Sequence, residues 1–155
     1  MRIEQIEDTF VRKTIAKEVL TKLPDWFGIP SSTKEYIERS GSLPMWAAYQ
    51  GGETVGFLSL LQHNEYSAEV FVMGITPKYH RQGIGKKLFY SAYEWCQNNK
   101  IEYIQVKTLD GSSNDPSYAK TREFYYSIGF RPLECFKTLW DELNPCLVMI
   151  QKIEK

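Results

Sequence analysis

The stretch from Val70 to Leu88, VFVMGITPKYHRQGIGKKL, is where residue types and spacing first point to chemistry. An apolar run enters a Thr76-Pro77 turn, a basic loop carries Gly83 and Gly85, and a segment of helical periodicity follows. A strand aimed through a glycine loop at a helix N-terminus is a general way to hold a phosphate. The first N–H groups of the helix have no internal acceptor, and the helix dipole puts positive potential at the same end. Amides from Arg81 through Gln82, Gly83, Ile84 and Gly85 to Lys86 can wrap an anion, and the two glycines put no Cβ in its way. His80, Arg81, Lys86 and Lys87 make a local basic patch. Two familiar phosphate loops are excluded by spacing. A Walker loop needs Gly where His80 stands and Ser or Thr where Lys87 stands. A dinucleotide fingerprint needs its third Gly where Leu88 stands. An ordinary helix start reached through a glycine loop is the alternative, and the loop alone does not exclude it.

The elements that must position this loop follow from periodicity and punctuation. Arg2 to Ile6 alternates and reads as a first strand. Phe10, Ile15, Val19 and Leu23 predict an amphipathic helix from about Thr9 to Leu23, ended by Pro24. Asp25 to Ser32, DWFGIPSS, reads as a loop exposing Trp26 and Phe27, and Thr33 to Ser40 as a short helix closed by Gly41. Pro44 to Gln50 and Thr54 to Gln62 read as a hairpin about Gly51-Gly52. Ser67 to Ile75 is the strand before the loop. The helix after it runs from Gly83 to about Lys100, with Ile84, Leu88, Ala92 and Trp95 on one face. A strand from Ile101 to Leu109, a loop from Asp110 to Pro116 and a helix from Tyr118 to Ile128 follow, the helix stopped by Gly129. Arg131 to about Trp140 and Cys146 to Ile153 are two last strands, with a turn expected around Asn144-Pro145. Hairpins mixed with helical crossovers predict the α+β class with a mixed sheet.

Composition narrows the function classes. A chain of 155 residues suits a single domain spanning 1–155, with a full core and no need of staples. The formal net charge is +0, so nothing global favours nucleic acid or an anionic membrane. Cys96, Cys135 and Cys146 are odd in number and widely spaced, which argues against a disulfide framework and for a reducing compartment. With only His63 and His80, no metal site is expected. The acidic start MRIEQIEDTF does not read as a signal peptide, and no apolar run approaches a membrane span, so a cytoplasmic protein is expected.

The loop, the strand VMGI before it and EFYYSIGF near the end together resemble the GNAT family of N-acetyltransferases. The resemblance covers the chain from about Trp46 onward and includes the order of elements. The family's loop runs Gln/Arg-x-x-Gly-x-Gly/Ala. Here it is His80-Arg81-Gln82-Gly83-Ile84-Gly85, with His80 for the usual Gln or Arg and Arg81 for a frequent Gly. The family's Phe-Tyr-x-x-x-Gly-Phe signature is matched by Phe124, Tyr125, Gly129 and Phe130. The resemblance implies a three-layer fold around a mixed, mostly antiparallel sheet of about seven strands. It implies acetyl-CoA as co-substrate, its pyrophosphate held by Arg81 to Lys86 and its pantetheine arm paired with the backbone of Met73, Gly74 and Ile75. Tyr118 stands where a common family pattern has Asn, and Asn114 upstream is the expected substitute in cofactor contact. Gly74 also has a plain reading, as relief of packing against a helix, beside a bulge or a close backbone approach.

Acetyl transfer to an amine requires that the ammonium lose a proton, that the developing oxyanion be stabilised and that the leaving thiolate be protonated. By resemblance Tyr125 is the acid. Tyr118, Arg122 and Tyr125 share one helix face, and Thr121, Phe124 and Ile128 another, more apolar one, so Tyr125 is expected to face the cleft. Glu69 is the candidate base, because AEVFVMGI resembles the histone-acetylating branch, whose catalytic Glu lies four residues before the position of Met73. Strand alternation puts Glu69, Phe71 and Met73 on one face. A solvated Glu with water chains doing the work is the other reading, and His63 and Glu65 are nearby. By family analogy, the Ile75 N–H is the oxyanion donor and a homodimer through the C-terminal strands is expected. Trp26, Phe27, Trp46 and Trp140 are expected at the acceptor rim, or else in the core. The expected reaction moves acetyl from acetyl-CoA to the primary amine of a small molecule by direct attack. The alternatives are a protein or peptide acceptor, or a CoA-binding regulatory module without turnover.

Overall fold

The computed structural model describes residues 1–155. The elements run β1 (Arg2–Ile6), α1 (Thr9–Leu20), α2 (Pro30–Ser40), β2 (Met45–Gln50), β3 (Glu53–Gln62), β4 (Ser67–Ile75), α3 (Ile84–Asn98), β5 (Tyr103–Leu109), α4 (Pro116–Ser127), β6 (Arg131–Asp141) and β7 (Asn144–Lys152). Short 3₁₀ turns occupy Pro77–Tyr79 and Gly111–Ser113. Seven strands form one sheet in the order β1-β2-β3-β4-β5-β7-β6. β4 and β5 pair parallel, whereas β1/β2, β2/β3, β5/β7 and β6/β7 pair antiparallel. The expected α+β class with a mixed, mostly antiparallel seven-stranded sheet is the observed one. No helix is long and apolar enough to cross a membrane.

The chain clusters into two compact units, Met1–Leu61 with Phe71–Trp95, and Gln62–Val70 with Cys96–Lys155, and β4 runs through both. In the first unit, alternation along β2 sends Met45 and Ala47 into one core with Ile15, Val19 and Leu20 of α1, Leu23 just after it and Val72 of β4. Trp46 goes to the other face, where its ring meets Trp95 of α3 edge-on at 6.4 Å. The unit is therefore layered, helix–sheet–helix, as the period of two along a strand requires. In the second unit, β5 pairs with β4 over Ser67↔Tyr103 to Val70↔Val106 and with β7 over Tyr103↔Lys152 to Leu109↔Cys146. β6 lies at the sheet edge and exposes Leu133, Phe136, Leu139 and Trp140.

Three of the boundaries that differ from the sequence expectation have a clear local reason. α1 ends at Leu20, not Leu23, because bonds from Lys22 N to Val19 O and Leu23 N to Leu20 O tighten the last turn ahead of Pro24. α2 begins at Pro30 rather than Thr33; a proline at the first helical position loses only an N–H that had no acceptor anyway. The last turn falls at Glu142-Leu143, not Asn144-Pro145. Asp141 pairs with Asn144, and the Asp141 Oδ1 accepts from Leu143 N and Asn144 Nδ2, both at 2.9 Å.

Candidate active site

The loop that enters α3 is built by its backbone. Arg81 and Gly83 both take left-handed conformations, with φ of 61° and 77°. Lys87 N bonds to Gly83 O at 3.2 Å and closes the first helical turn, so the N–H groups of Ile84, Gly85 and Lys86 have no acceptor within the helix. A Cβ added at Gly83 would meet nothing within 4 Å, so the space over it is open. Arg81, Gln82, Lys86 and Lys87 are exposed around it. Free amides, a dipole end and exposed cations around open space fit an anionic pyrophosphate. The expected residues from Arg81 to Lys86 therefore do meet in one place.

His80 plays a different part from the one expected. Its Nε2 lies 2.6 Å from the Ile75 carbonyl oxygen, and its ring meets Trp26 edge-on at 5.8 Å. A carbonyl only accepts, so Nε2 carries the proton. His80 thus ties the loop back to the end of β4 instead of adding a free charge to the rim.

Arg81 departs from the glycine frequent at its position, and its backbone conformation shows why glycine would suit. A left-handed non-glycine residue costs about 1–2 kcal/mol, partly offset in Arg81→Gly by the extra chain entropy of unfolded glycine. Arg81→Gly should leave stability within about 1 kcal/mol of the parent. It should also reduce the stabilisation that coenzyme A confers, because a cation is lost from the rim; paired thermal melts with and without coenzyme A measure both.

Gly74 is explained by packing. A Cβ there would lie 2.7 Å from Leu23 Cδ1 and 3.2 Å from Val19 Cγ1, so glycine is what lets β4 lie against α1. The expected bulge or close backbone approach is not the reason; the plain reading is. The close approach is at Gly56 of β3, where a Cβ would sit 2.6 Å from Ile75 Cδ1 and 3.0 Å from the Gly74 carbonyl oxygen. The end of β4 is then locked to β3 by Thr76, whose N and Oγ1 donate to Val55 O at 2.9 and 2.8 Å. Met73, Gly74 and Ile75 lie in β4 past Val70↔Val106, the last β4/β5 pair.

Glu69 is buried, its side chain 6% exposed, and it is not solvated as a strand-end carboxylate would be. Its Oε1 lies 2.7 Å from His63 Nε2, 3.3 Å from Lys107 Nζ and 3.5 Å from Gln105 Nε2. Strand register produces this cluster: Glu69 sits opposite Gln105 in the parallel pair, and Lys107 follows on the same face of β5. The turn before β4 holds His63 in place. His63 N donates to Ser67 O at 2.9 Å, and Asn64 Oδ1 accepts from Tyr66 N and Ser67 N. Sequence reasoning did not single out Gln105 and Lys107. Their signal was present: two long polar residues flank Val106 and follow Ile104 in a strand that is otherwise mostly apolar.

Tyr125, placed by helix periodicity on the less apolar face, is the buried residue of α4, 7% exposed. Phe130, just past the glycine stop, brings its ring edge-on to Tyr125 at 5.6 Å, and Phe124 tilts against it at 5.5 Å. The chain reversal at Gly129, with φ of 105°, creates that contact, and a helical wheel cannot contain it. Asn114 adopts a left-handed conformation, φ 54°, just ahead of the Asp115 cap of α4. The Tyr118 N–H donates to Asp115 Oδ1 at 3.2 Å. Both expected cofactor contacts therefore stand at the start of α4, where the chain turns into the helix.

The aromatic residues expected at an acceptor rim divide. Trp46 is core, 5% exposed. Trp26 and Phe27, expected exposed, are half-buried against the core of the first unit, with Phe27 edge-on to Tyr36 at 5.8 Å. Tyr36 in turn meets Phe71 at 5.3 Å, and the Arg39 guanidinium lies 4.6 Å over the Phe71 ring. Trp140 is exposed on the edge strand β6.

The sequence model of the acetyltransferase (GNAT) domain matches residues 41–132. An uncharacterized N-acetyltransferase of Bacillus subtilis, YsnE, is 24% identical over 106 residues, 68% of each chain. Among solved structures, an aminoglycoside 6′-N-acetyltransferase complexed with coenzyme A superposes with a TM-score of 0.79 at 17% identity, covering 100% of this chain and 98% of that one. The ribosomal-protein-S18-alanine N-acetyltransferase of Escherichia coli superposes with a TM-score of 0.78 at 17% identity, covering 99% and 94%.

Proposed function

Because the chain belongs to the acetyltransferase (GNAT) family, whose co-substrate is acetyl-CoA, we propose that it moves the acetyl group to the primary amine of a small molecule by direct attack. The thioester supplies an activated acyl carbon; the protein's part is to hold it, to take a proton from the acceptor and to return one to the leaving sulfur. The free amides of Ile84, Gly85 and Lys86 and the open space over Gly83 would hold the pyrophosphate, with Arg81, Lys86 and Lys87 as cationic rim. Met73, Gly74 and Ile75, beyond the last β4/β5 pair, offer backbone groups for the pantetheine arm. The Ile75 N–H would stabilise negative charge developing on the acyl oxygen. Asn114 and Tyr118 would add contacts at the start of α4.

The observation that carries the reading is Glu69, a carboxylate buried on β4 with an imidazole and an ammonium on one of its oxygens. An acceptor that arrives as an ammonium must lose a proton before it can attack, and this cluster is equipped to receive one. Tyr125 is the proposed proton donor to the departing thiolate. In the first unit, Phe71, Tyr36 and Phe27 form a half-buried apolar surface suited to a compact organic amine.

Acetyl-CoA at about 100 times its Kd should stabilise the protein by about 2.7 kcal/mol, a rise in Tm of about 5–10 °C for a chain of this size. No shift at millimolar acetyl-CoA would contradict the reading. Thiol release assayed in parallel against small amines and against peptides with free N-termini tests the acceptor. Turnover confined to peptides would replace the small-molecule reading with a protein one.

A further inference from the structure

We propose that His63 is the residue that takes the proton from the acceptor amine, and that Glu69 is a positioning residue for it. This rests on the reading of the chain as an N-acetyltransferase. Two features of the cluster separate the roles. Glu69 is 6% exposed at its side chain, whereas His63, on the turn between β3 and β4, is 33% exposed. All three polar contacts to Glu69 converge on Oε1: His63 at 2.7 Å, Lys107 at 3.3 Å and Gln105 at 3.5 Å. A carboxylate oxygen engaged by three donors, one on the turn before β4 and two on β5, is a fixed acceptor, suited to orienting a neighbour.

The hydrogen bond assigns the imidazole. Toward a carboxylate acceptor, Nε2 carries the hydrogen, which leaves the Nδ1 lone pair as the basic site of the neutral ring. An imidazole held in one tautomer by a buried carboxylate, with its other nitrogen open, is the arrangement that a general base requires. The backbone bond from His63 N to Ser67 O and the Asn64 side-chain bonds fix the turn, so the ring is placed before any acceptor arrives.

The proton balance closes. His63 Nδ1 takes one proton from the acceptor ammonium and later gives it to solvent. The neutral amine forms the new carbon–nitrogen bond as the carbon–sulfur bond breaks. The second nitrogen proton is lost as the thiolate is protonated, so one proton is released per acetyl group moved. The charged and titratable groups around the dyad are Lys107 on β5 and Cys146 on β7, whose thiol burial pushes up to about 11.

The test combines nitrogen NMR with kinetics. The chain has only two histidines, so His63→Gln identifies the His63 imidazole signals by their loss, leaving those of His80. In its neutral form the His63 ring should be the Nε2–H tautomer, and Glu69→Gln should disturb that state. With the amine that gives the fastest thiol release, the wild type should lose kcat/KM toward acid pH. His63→Gln should lower kcat/KM by about 100-fold or more and abolish that acid limb, while Glu69→Gln should lower the rate but keep the limb. Both variants should retain the rise in Tm with acetyl-CoA. An Nδ1–H tautomer, or an acid limb lost in Glu69→Gln but kept in His63→Gln, would overturn this inference alone. Failure of the wild type to release thiol with every amine would overturn the amine-acceptor reading and the inference with it.

Discussion

Tyr125→Phe should lower kcat by about 100-fold while the rise in Tm produced by acetyl-CoA stays as in the parent. The variant isolates one oxygen. The Tyr125 ring is packed against Phe124 and Phe130, and phenylalanine keeps both ring contacts, so the core of the second unit is preserved. What is removed is a proton donor. A phenol with pKa about 10 facing a thiolate whose conjugate acid has pKa about 8.5 has little driving force. Its contribution must therefore come from position, and position is what burial against two aromatic rings provides. A binding role would appear instead as a weaker acetyl-CoA effect with kcat unchanged. An unchanged kcat would remove Tyr125 from the chemistry and leave solvent as the proton source.

Gly74→Ala should destabilise the protein by about 1–3 kcal/mol, seen as a fall in Tm of about 3–10 °C. The added carbon would sit 2.7 Å from Leu23 Cδ1 and 3.2 Å from Val19 Cγ1, both of them buried in a close-packed interior. The strand must shift or α1 must. Either response moves the segment from Met73 to Ile75, so acetyl-CoA affinity should fall together with stability. The pair Gly74→Ala and Leu23→Ala tests the cause. Leu23→Ala alone should cost about 2–4 kcal/mol by leaving a cavity, and the double variant should be less destabilised than the sum of the two. Additivity within about 0.5 kcal/mol would show that the Leu23 contact is not why the position is glycine.

Much of the molecule was legible because its signals are local. The hairpin at Gly51-Gly52, the bounds of β4 and the glycine-loop entry to α3 depend on residues adjacent in the chain. The corrections came where distant residues meet. His80 looked like a free cation until its ring was placed on the Ile75 carbonyl. Tyr125 looked open because a helical wheel counts residues along one helix, whereas Phe130 reaches it from beyond the Gly129 reversal. Trp46 could have stood at the rim or in the core, and Trp95, on another element, meets it in the core.

Residue order by itself determined the element sequence and the glycine loop that opens α3, because backbone amides, glycine conformations and strand or helix periods are properties of contiguous chain. It also placed Glu69 on the strand ahead of the loop. Only the tertiary structure decided what surrounds that carboxylate. Parallel pairing of β4 with β5 brings Gln105 and Lys107 to it, and the turn at His63–Ser67 folds an imidazole onto it. Burial and partner distance are set by packing across the chain, and they turn a glutamate on a strand into the centre of a candidate proton path.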